Sequence, residues 1–279
     1  MIDKAIIKEK LTESDILDAK AFAYGMSLKN SMEYKLDVFA FTLEPYDFSA
    51  HILYYENGLL SSYASVNNFK NEDTEVTFIC ENETEFNSML DTLIDHSHEK
   101  TKRLFAIVNR KDEKLAEWLL ARDFIFSNTE YRMVFDKEKF VPCNKRNLQI
   151  LTATPKDSSY VFEIDNEAFD MVNESETSLR DLLNTKIAYL NGEPIGKIRV
   201  DTAYGVFAIY GFVIKPNYRG KGLGREFISK IIEDIIETGY DKIFIEVMSN
   251  NSNALHLYKS IGFDVKAEFD YYSLLNIFS

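Results

Sequence analysis

The spacing of apolar residues in the second half of the chain changes repeatedly between the periods of helices and strands. Helical spacing predicts helices over residues 158–169 and 178–184, from a glycine-rich loop to about Thr238, and over 253–260. Short apolar runs predict strands at residues 149–151, 186–190, 195–200, 206–214, 242–248, 263–269 and 271–277. The predicted order, β-α-α-β-β-β-α-β-α-β-β, indicates an α/β fold with a mixed sheet.

Turn residues punctuate these elements. Asn191-Gly192 predicts a hairpin turn between the strands at 186–190 and 195–200. Pro216 is expected to end the strand at 206–214, because proline cannot donate to a sheet ladder. Gly239 and Gly262 are expected to terminate helices. The last two apolar runs are expected to form a closing pair of strands.

The first half repeats part of this plan. Residues 104–108 match 243–247 without gaps, and the match continues until Phe124 falls opposite Phe263. Residues 78–80 fall opposite 212–214 with an offset about five residues shorter. We interpret this as a duplicated fold whose first copy has lost the glycine-rich loop, the alternative being chance likeness between two α/β halves. A proline and polar residues at 141–148 predict a linker between domains at 1–140 and 149–279.

Composition excludes several classes of protein. The 279 residues carry a net charge of −13, which disfavours nucleic acid and anionic membranes as partners. No apolar run is long enough to span a membrane, and the N-terminus lacks the apolar stretch of a signal peptide. Two cysteines and four histidines form no disulfide framework and no convincing metal set. A cytoplasmic protein without a metal is therefore expected.

The strongest chemical signal is the loop Tyr218-Arg219-Gly220-Lys221-Gly222-Leu223-Gly224-Arg225, between the strand at 206–214 and the following helix. Glycines let a backbone approach a ligand, and the N–H groups at a helix start bind anions. Residues 215–230 carry five cations against Glu226. The loop matches neither the nucleoside-triphosphate nor the dinucleotide glycine pattern, and a pyrophosphate is the expected ligand.

This region resembles the GNAT acetyltransferase superfamily. The resemblance covers about 149–279 and includes the R-x-x-G-x-G signature at Arg219, Gly222 and Gly224. It also includes a downstream run at 246–263 that is similar to the family's E-V-x-x-x-N-x-x-A-x-x-L-Y-x-x-x-G-F element. The tandem layout is similar to that of mycothiol synthase, a similarity that does not establish a substrate.

The resemblance implies acetyl-CoA as donor and an amine of a small molecule as acceptor. It places the pyrophosphate on the loop residues Arg219, Gly220, Lys221, Gly222, Leu223 and Gly224. The pantetheine arm is expected along the backbone of Phe212, Val213 and Ile214, with Asn251 as a second-rank contact. Tyr258 matches the family's tyrosine and is the proposed general acid for the departing thiolate.

The general base remains open in the sequence. Many GNAT enzymes place a glutamate on the strand before the loop, where this chain has Ala208. Glu163, Glu167, Glu246 and a water chain are the candidates, while His256 is expected on the surface.

The first copy has Leu119 opposite Tyr258, so residues 1–140 are not expected to bind CoA productively. They would shape the acceptor site or stabilise the second domain. An N-acetyltransferase that acts on a protein is a variant of this enzymatic interpretation. The competing class is a non-catalytic CoA-binding sensor or interaction module.

Overall fold

The computed structural model describes residues 5–37, 41, 49–69, 71–97, 101–169 and 179–275, the side chains of 167–169 excepted. The chain divides into two compact units. Unit 1 contains Met1–Tyr131 and Ala267–Ser279, and unit 2 contains Arg132–Lys266. These boundaries differ from the predicted domains at 1–140 and 149–279, because a strand near the middle of the chain and the final strand each run through a boundary.

Unit 1 is a mixed sheet with helices on both faces. Its elements in chain order are β1 (Ala5–Lys8), α1 (Glu13–Asn30), β2 (Ala50–Glu56), β3 (Leu59–Asn67), β4 (Asp73–Ile79), α2 (Glu83–His96), β5 (Arg103–Asn109), α3 (Glu113–Ala121) and the first part of β6 (Ile125–Phe135). β1 to β4 pair antiparallel in sequence order, whereas β4 and β5 are parallel. The apolar side of α1 packs on one face of the sheet, and α2 and α3 pack on the other.

Unit 2 repeats this arrangement. Its elements are the second part of β6, β7 (Leu148–Thr152), α4 (Ser158–Phe169), α5 (Leu179–Leu183), β8 (Thr185–Leu190), β9 (Glu193–Ala203), β10 (Val206–Ile214), α6 (Leu223–Glu237), β11 (Lys242–Met248), α7 (Ser252–Ile261) and the first part of β12 (Phe263–Leu275). The strand order is β6-β11-β10-β9-β8-β7, with β10 and β11 parallel. Residues 141–147, the core of the predicted linker, form no helix or strand.

Most predicted elements are present. The hairpin between β8 and β9 turns at Asn191 and Gly192, whose φ angles are 53° and 82°. Gly239 (φ 89°) and Gly262 (φ 119°) follow the ends of α6 and α7 in the left-handed region. Among the residues that the structure describes, no helix combines the length and the apolar character needed to cross a membrane.

The predicted closing pair of strands is wrong. Residues 263–275 form a single strand, and the end of the second predicted run, Ile277, lies outside the described residues. The expected break was at Asp270, but this residue continues the antiparallel ladder opposite Val108 of β5. Its carboxylate accepts hydrogen bonds from Arg110 and Thr129, so a charged residue is accommodated inside the strand.

The predicted duplication is confirmed at the level of the fold. The parallel pairs β4–β5 and β10–β11 each extend over four residues, beginning at Asp73 opposite Arg103 and at Val206 opposite Lys242. Each pair is linked through one helix, α2 or α6, and each is followed by a further helix, α3 or α7.

Candidate functional site

The start of α6 differs from the starts of four other helices. α1, α2, α3 and α7 each begin with a side chain that accepts a hydrogen bond from a first-turn N–H group. α6 begins at Gly222 (φ 79°), which has no side chain to do this. The N–H groups of Leu223, Gly224 and Arg225 make no hydrogen bond with any described residue. Free N–H groups and the positive end of the helix dipole favour an anion here.

The cations predicted around this loop divide into two groups. Arg225 and Lys230 are engaged elsewhere, Arg225 with the backbone of Val141 and Ser260, and Lys230 with Asp234. Lys215, Arg219 and Lys221 remain beside the loop. Arg219 Nε donates to the carbonyl of Ile214 at 2.7 Å, and Lys221 Nζ donates to that of Asn217 at 2.9 Å.

The linker supplies a further cation near the loop, which the sequence pattern did not predict. The Nζ of Lys145 lies 3.5 Å from the position that a Cβ on Gly222 would occupy. The buried carboxylate of Glu226 on α6 accepts hydrogen bonds from the backbone of Asn147 and Leu148 and thereby holds the linker against the helix. The sequence contained no signal for this, because Lys145 is remote from the loop along the chain.

β10 is interrupted by a bulge, whereas the sequence pattern predicted a regular strand over 206–214. Its register with β9 shifts between Tyr210 and Val213, and Gly211 has a φ of 52°. Its parallel pairing with β11 ends at Ile209, and among the described strands Val213 and Ile214 have ladder partners on the β9 side alone, while Phe212 lies within the bulge. A lone glycine within an apolar strand is a known sign of a bulge, and Gly211 was that signal.

Tyr258 of α7 lies beside this open edge. The residue is 5% exposed, and its ring centroid is 6.4 Å from that of Phe212 and 6.1 Å from that of Phe263. Its hydroxyl makes no hydrogen bond within the described part of the chain. Burial raises the pKa of the phenol above its ordinary value, so the group stays protonated. The structure therefore brings together a helix start with free N–H groups, an open strand edge and a buried donor.

A family model described as the acetyltransferase (GNAT) family matches residues 148–263, which include all three features. This segment belongs to the GNAT acetyltransferase family. The GNAT segment is similar to the bovine (Bos taurus) thialysine N-epsilon-acetyltransferase, with 30% identity over 112 residues, or 36% of this chain and 65% of that protein. An uncharacterised Mycobacterium leprae protein is 25% identical over 141 residues, or 45% of this chain and 37% of its own length. The matches to these first relatives thus cover less than two thirds of each relative.

Solved structures share the fold over nearly the whole chain. A GCN5-related N-acetyltransferase from Sphaerobacter thermophilus aligns with a TM-score of 0.70 and 13% identity, covering 99% of this chain and 96% of that one. A tandem GNAT protein from the clavulanic acid biosynthesis pathway aligns with a TM-score of 0.67 and 12% identity, covering 98% of each. At this identity the likeness establishes the fold, which is that of a tandem GNAT protein. The similarity in layout to mycothiol synthase stays a prediction.

The carboxylates considered as general bases in the GNAT segment are not equivalent. Glu246 forms an ion pair with Arg132 of β6, whose Nε and Nη2 lie 3.0 and 2.7 Å from Oε1, and both side chains are largely buried. Glu163 is exposed on α4, and the side chain of Glu167 lies outside the described residues. Ala208, at the place of the usual glutamate, is fully buried.

Two other predicted residues have positions that bear on their roles. Asn251 caps α7, with its Oδ1 accepting from the N–H of Ala254 at 3.1 Å, so its side chain already has a structural function. His256 is exposed, on the surface where the sequence analysis placed it. Across the residues that the structure describes, no group of three or more potential ligands is arranged to hold a metal ion.

Proposed function

We propose that the protein is an N-acetyltransferase that moves acetyl from acetyl-CoA to an amine of a small molecule, with the donor bound to unit 2. The observation that carries this proposal is the uncapped start of α6, which directs three free N–H groups to the loop beside an open strand edge. Coenzyme A has the matching shape, an anionic pyrophosphate joined to an extended amide-bearing arm.

The pyrophosphate would lie on the backbone of Arg219 to Gly224. Lys145 and Lys221 would add charge at its edge, since the Nζ of Lys145 is close to Gly222. The pantetheine amides would pair with the unpartnered edge of Phe212, Val213 and Ile214, as an extended ligand adds a strand to a sheet.

We place the proposed reaction at the bulge of β10. The acceptor amine attacks the thioester carbonyl, a backbone N–H of β10 stabilises the oxygen anion, and collapse of the intermediate expels the CoA thiolate. Tyr258 would donate a hydrogen bond to that thiolate. Full proton transfer from a phenol of ordinary pKa to a thiolate is uphill by about 2 kcal/mol. Burial raises the pKa of Tyr258 further, so we assign it hydrogen bonding rather than complete proton transfer.

The acceptor must lose a proton before it attacks. Glu246 is held in its ion pair with Arg132, and Glu163 faces solvent. We therefore assign this proton to water rather than to Glu163 or Glu246, the two candidates whose side chains the structure describes.

Unit 1 is proposed not to bind CoA productively. Where β4 and β5 separate, Thr77 Oγ1 donates to the carbonyl of Lys35 at 2.7 Å, and Asn109 Nδ2 donates to that of Glu33 at 2.9 Å. The chain after α1 is therefore hydrogen-bonded to two side chains at the opening between these strands. The corresponding opening in unit 2 is the proposed place of pantetheine. α2 is also capped, since Asn82 Oδ1 accepts from the N–H of Glu85 at 2.8 Å.

The alternative of a non-catalytic CoA-binding sensor or interaction module is favoured by one observation, the buried Ala208 where a base is usual. Two measurements separate the readings. Isothermal titration of the full chain with acetyl-CoA should give one site. Thiol release should then appear with at least one member of a panel of amino acids, polyamines, aminoglycosides and N-terminal peptides, the last testing a protein N-acetyltransferase. Binding without thiol release across the panel would favour the sensor, and two equivalent sites would contradict the assignment to unit 2.

A further inference from the structure

A buried ammonium group lies next to the bulge of β10. Lys197 of β9 is opposite Val213 and is 6% exposed. Its Nζ donates to Asp165 Oδ2 of α4 at 2.6 Å, and this is its one hydrogen bond among the described residues. An ammonium has three donors. Two donor positions of this nearly buried charge therefore have no partner among the residues that the structure describes, although buried charges ordinarily need several.

Gly211 has no side chain to extend toward this ammonium. Among the described residues, a Cβ built on Gly211 would have a single neighbour within 4 Å, the Nζ of Lys197 at 3.6 Å. A side chain at this position would extend toward the charge. The space that such a side chain would fill lies next to the point at which β10 separates from β11. The proposed function places the thioester at this point.

The neighbouring cation on the same face of the sheet is arranged differently. Arg199, two residues along β9, lies 3.1 Å from Asp181 and 3.2 Å from Asp201, and its guanidinium stacks on Tyr210 with 5.0 Å between Cζ and the ring centroid. Two carboxylates and an aromatic ring thus surround Arg199, whereas Lys197 has one carboxylate within the described part of the chain. Of the two cations, Lys197 is the one with capacity for a further anion.

We propose that Lys197 binds a carboxylate on the acceptor, so that the substrates are amino acids or other amines that carry a carboxylate. This inference rests on the proposed function of unit 2. A charge-assisted hydrogen bond from a desolvated ammonium favours a carboxylate strongly. The same charge repels a second ammonium, which disfavours polyamines despite the acidic surface of the chain. Asp165 is a positioning residue that holds the ammonium toward Gly211.

The test compares acceptors that differ only by a carboxylate, namely L-lysine with cadaverine and L-phenylalanine with 2-phenylethylamine. For the full-length protein we expect kcat/KM to be at least roughly 10-fold higher for the amino acid of each pair. Lys197→Met should reduce that ratio roughly 10- to 100-fold, mainly through KM of the amino acid, because one charge-assisted hydrogen bond is lost. Lys197→Arg, which keeps the charge, should retain part of the preference.

The matched control is Lys186→Met. Lys186 is opposite Ile198 in the ladder, so it is on the other face of the sheet from Lys197, and it donates to Thr152 Oγ1 at 2.7 Å. This variant should leave the ratio unchanged. Because the ratio is measured within one preparation, partial unfolding of a variant does not alter it.

Two results would overturn the inference while leaving the proposed function intact. One is a preference for the amines without a carboxylate. The other is an equal loss with both members of each pair in Lys197→Met, which would assign the ammonium to the acyl group or to folding. Absence of acetyl-CoA binding in the titration without acceptor would instead refute the proposed function, and this inference with it.

Discussion

The two units contain the same strand–helix–strand crossover, but the start of the crossover helix is capped in unit 1 and uncapped in unit 2. In unit 1, Asn82 caps α2 three residues after β4 ends. In unit 2, the connection from β10 to α6 is longer, contains Gly220 and Gly222 with positive φ, and leaves the helix start uncapped. A capping side chain stabilises a helix by about 1 kcal/mol. The uncapped start of α6 therefore lowers the stability of unit 2 but leaves its N–H groups free for a ligand. The comparison shows that the fold does not require the loop.

The strand that precedes the crossover helix also differs, being regular in unit 1 and bulged in unit 2. β4 pairs with β3 from Asn67 to Tyr63 without a shift, whereas β10 has the bulge at Gly211. Leu119 of α3 and Tyr258 of α7 are both buried at corresponding places, but the leucine has no donor. Packing has therefore been kept in both copies, while the groups suited to a ligand are present in one.

The largest expected effect concerns the buried ion pair that joins β6 to β11 in unit 2. Arg132→Ala removes the guanidinium that pairs with the buried carboxylate of Glu246, and we expect the free energy of unfolding to fall by about 3 to 5 kcal/mol. Urea unfolding followed by circular dichroism measures this. Arg103→Ala is the control, because its ion pair with Asp73 is half-exposed and should be worth less than about 1 kcal/mol.

The double variant Arg132→Met, Glu246→Leu removes both buried charges. It should recover most of the lost stability, since apolar residues often replace a buried ion pair without penalty. If Arg132→Ala were as stable as the parent, strand β6 would not be needed to complete unit 2.

A charge placed in the loop tests the assignment of CoA to one unit. Gly222→Asp puts a carboxylate where the pyrophosphate is expected, and we predict that the dissociation constant of acetyl-CoA rises by about 100-fold or more. Calorimetry measures this, with Gly192→Asp as the control because Gly192 has a similar φ in an open hairpin turn. Residual binding of unchanged affinity would mean that unit 1 has a site of its own.

Tyr258→Phe tests the difference between α7 and α3. We expect kcat to fall roughly 10- to 100-fold with little change in KM for acetyl-CoA, because the hydrogen bond that we propose would form only as the thiolate departs. The raised pKa keeps the donor protonated as the pH rises, so kcat should show no decline near pH 10 from ionisation of this phenol. Tyr272→Phe in unit 1 is the control, and unchanged turnover in Tyr258→Phe would exclude the role.

The smallest expected effect concerns the linker. Lys145→Ala removes a solvent-exposed cation near Gly222, and we predict a rise in KM for acetyl-CoA of about 3-fold, weakening as salt is added. Steady-state kinetics at two ionic strengths measure this. Lys156→Ala, an exposed lysine in the turn before α4, should have no effect at either ionic strength.

The sequence alone determined features that depend on neighbours along the chain. Apolar periodicity predicted α4 and α7, the Asn191-Gly192 pair predicted a hairpin, and the glycine loop lay between a strand and a helix as expected. These features depend on backbone preferences and on which face of an element is apolar, and both are local properties. The family resemblance was also carried by two local motifs.

Tertiary structure decided the rest, because its determinants are distant in sequence. The final strand is unbroken because Arg110 pairs with the charge of Asp270 and Thr129 donates a hydrogen bond to it. Glu246 is held by Arg132 from a strand that precedes the linker. Lys197 and Asp165 meet only when α4 packs on β9. A buried charge is tolerated only beside its partner, and no spacing along the chain reveals which partner the fold will bring.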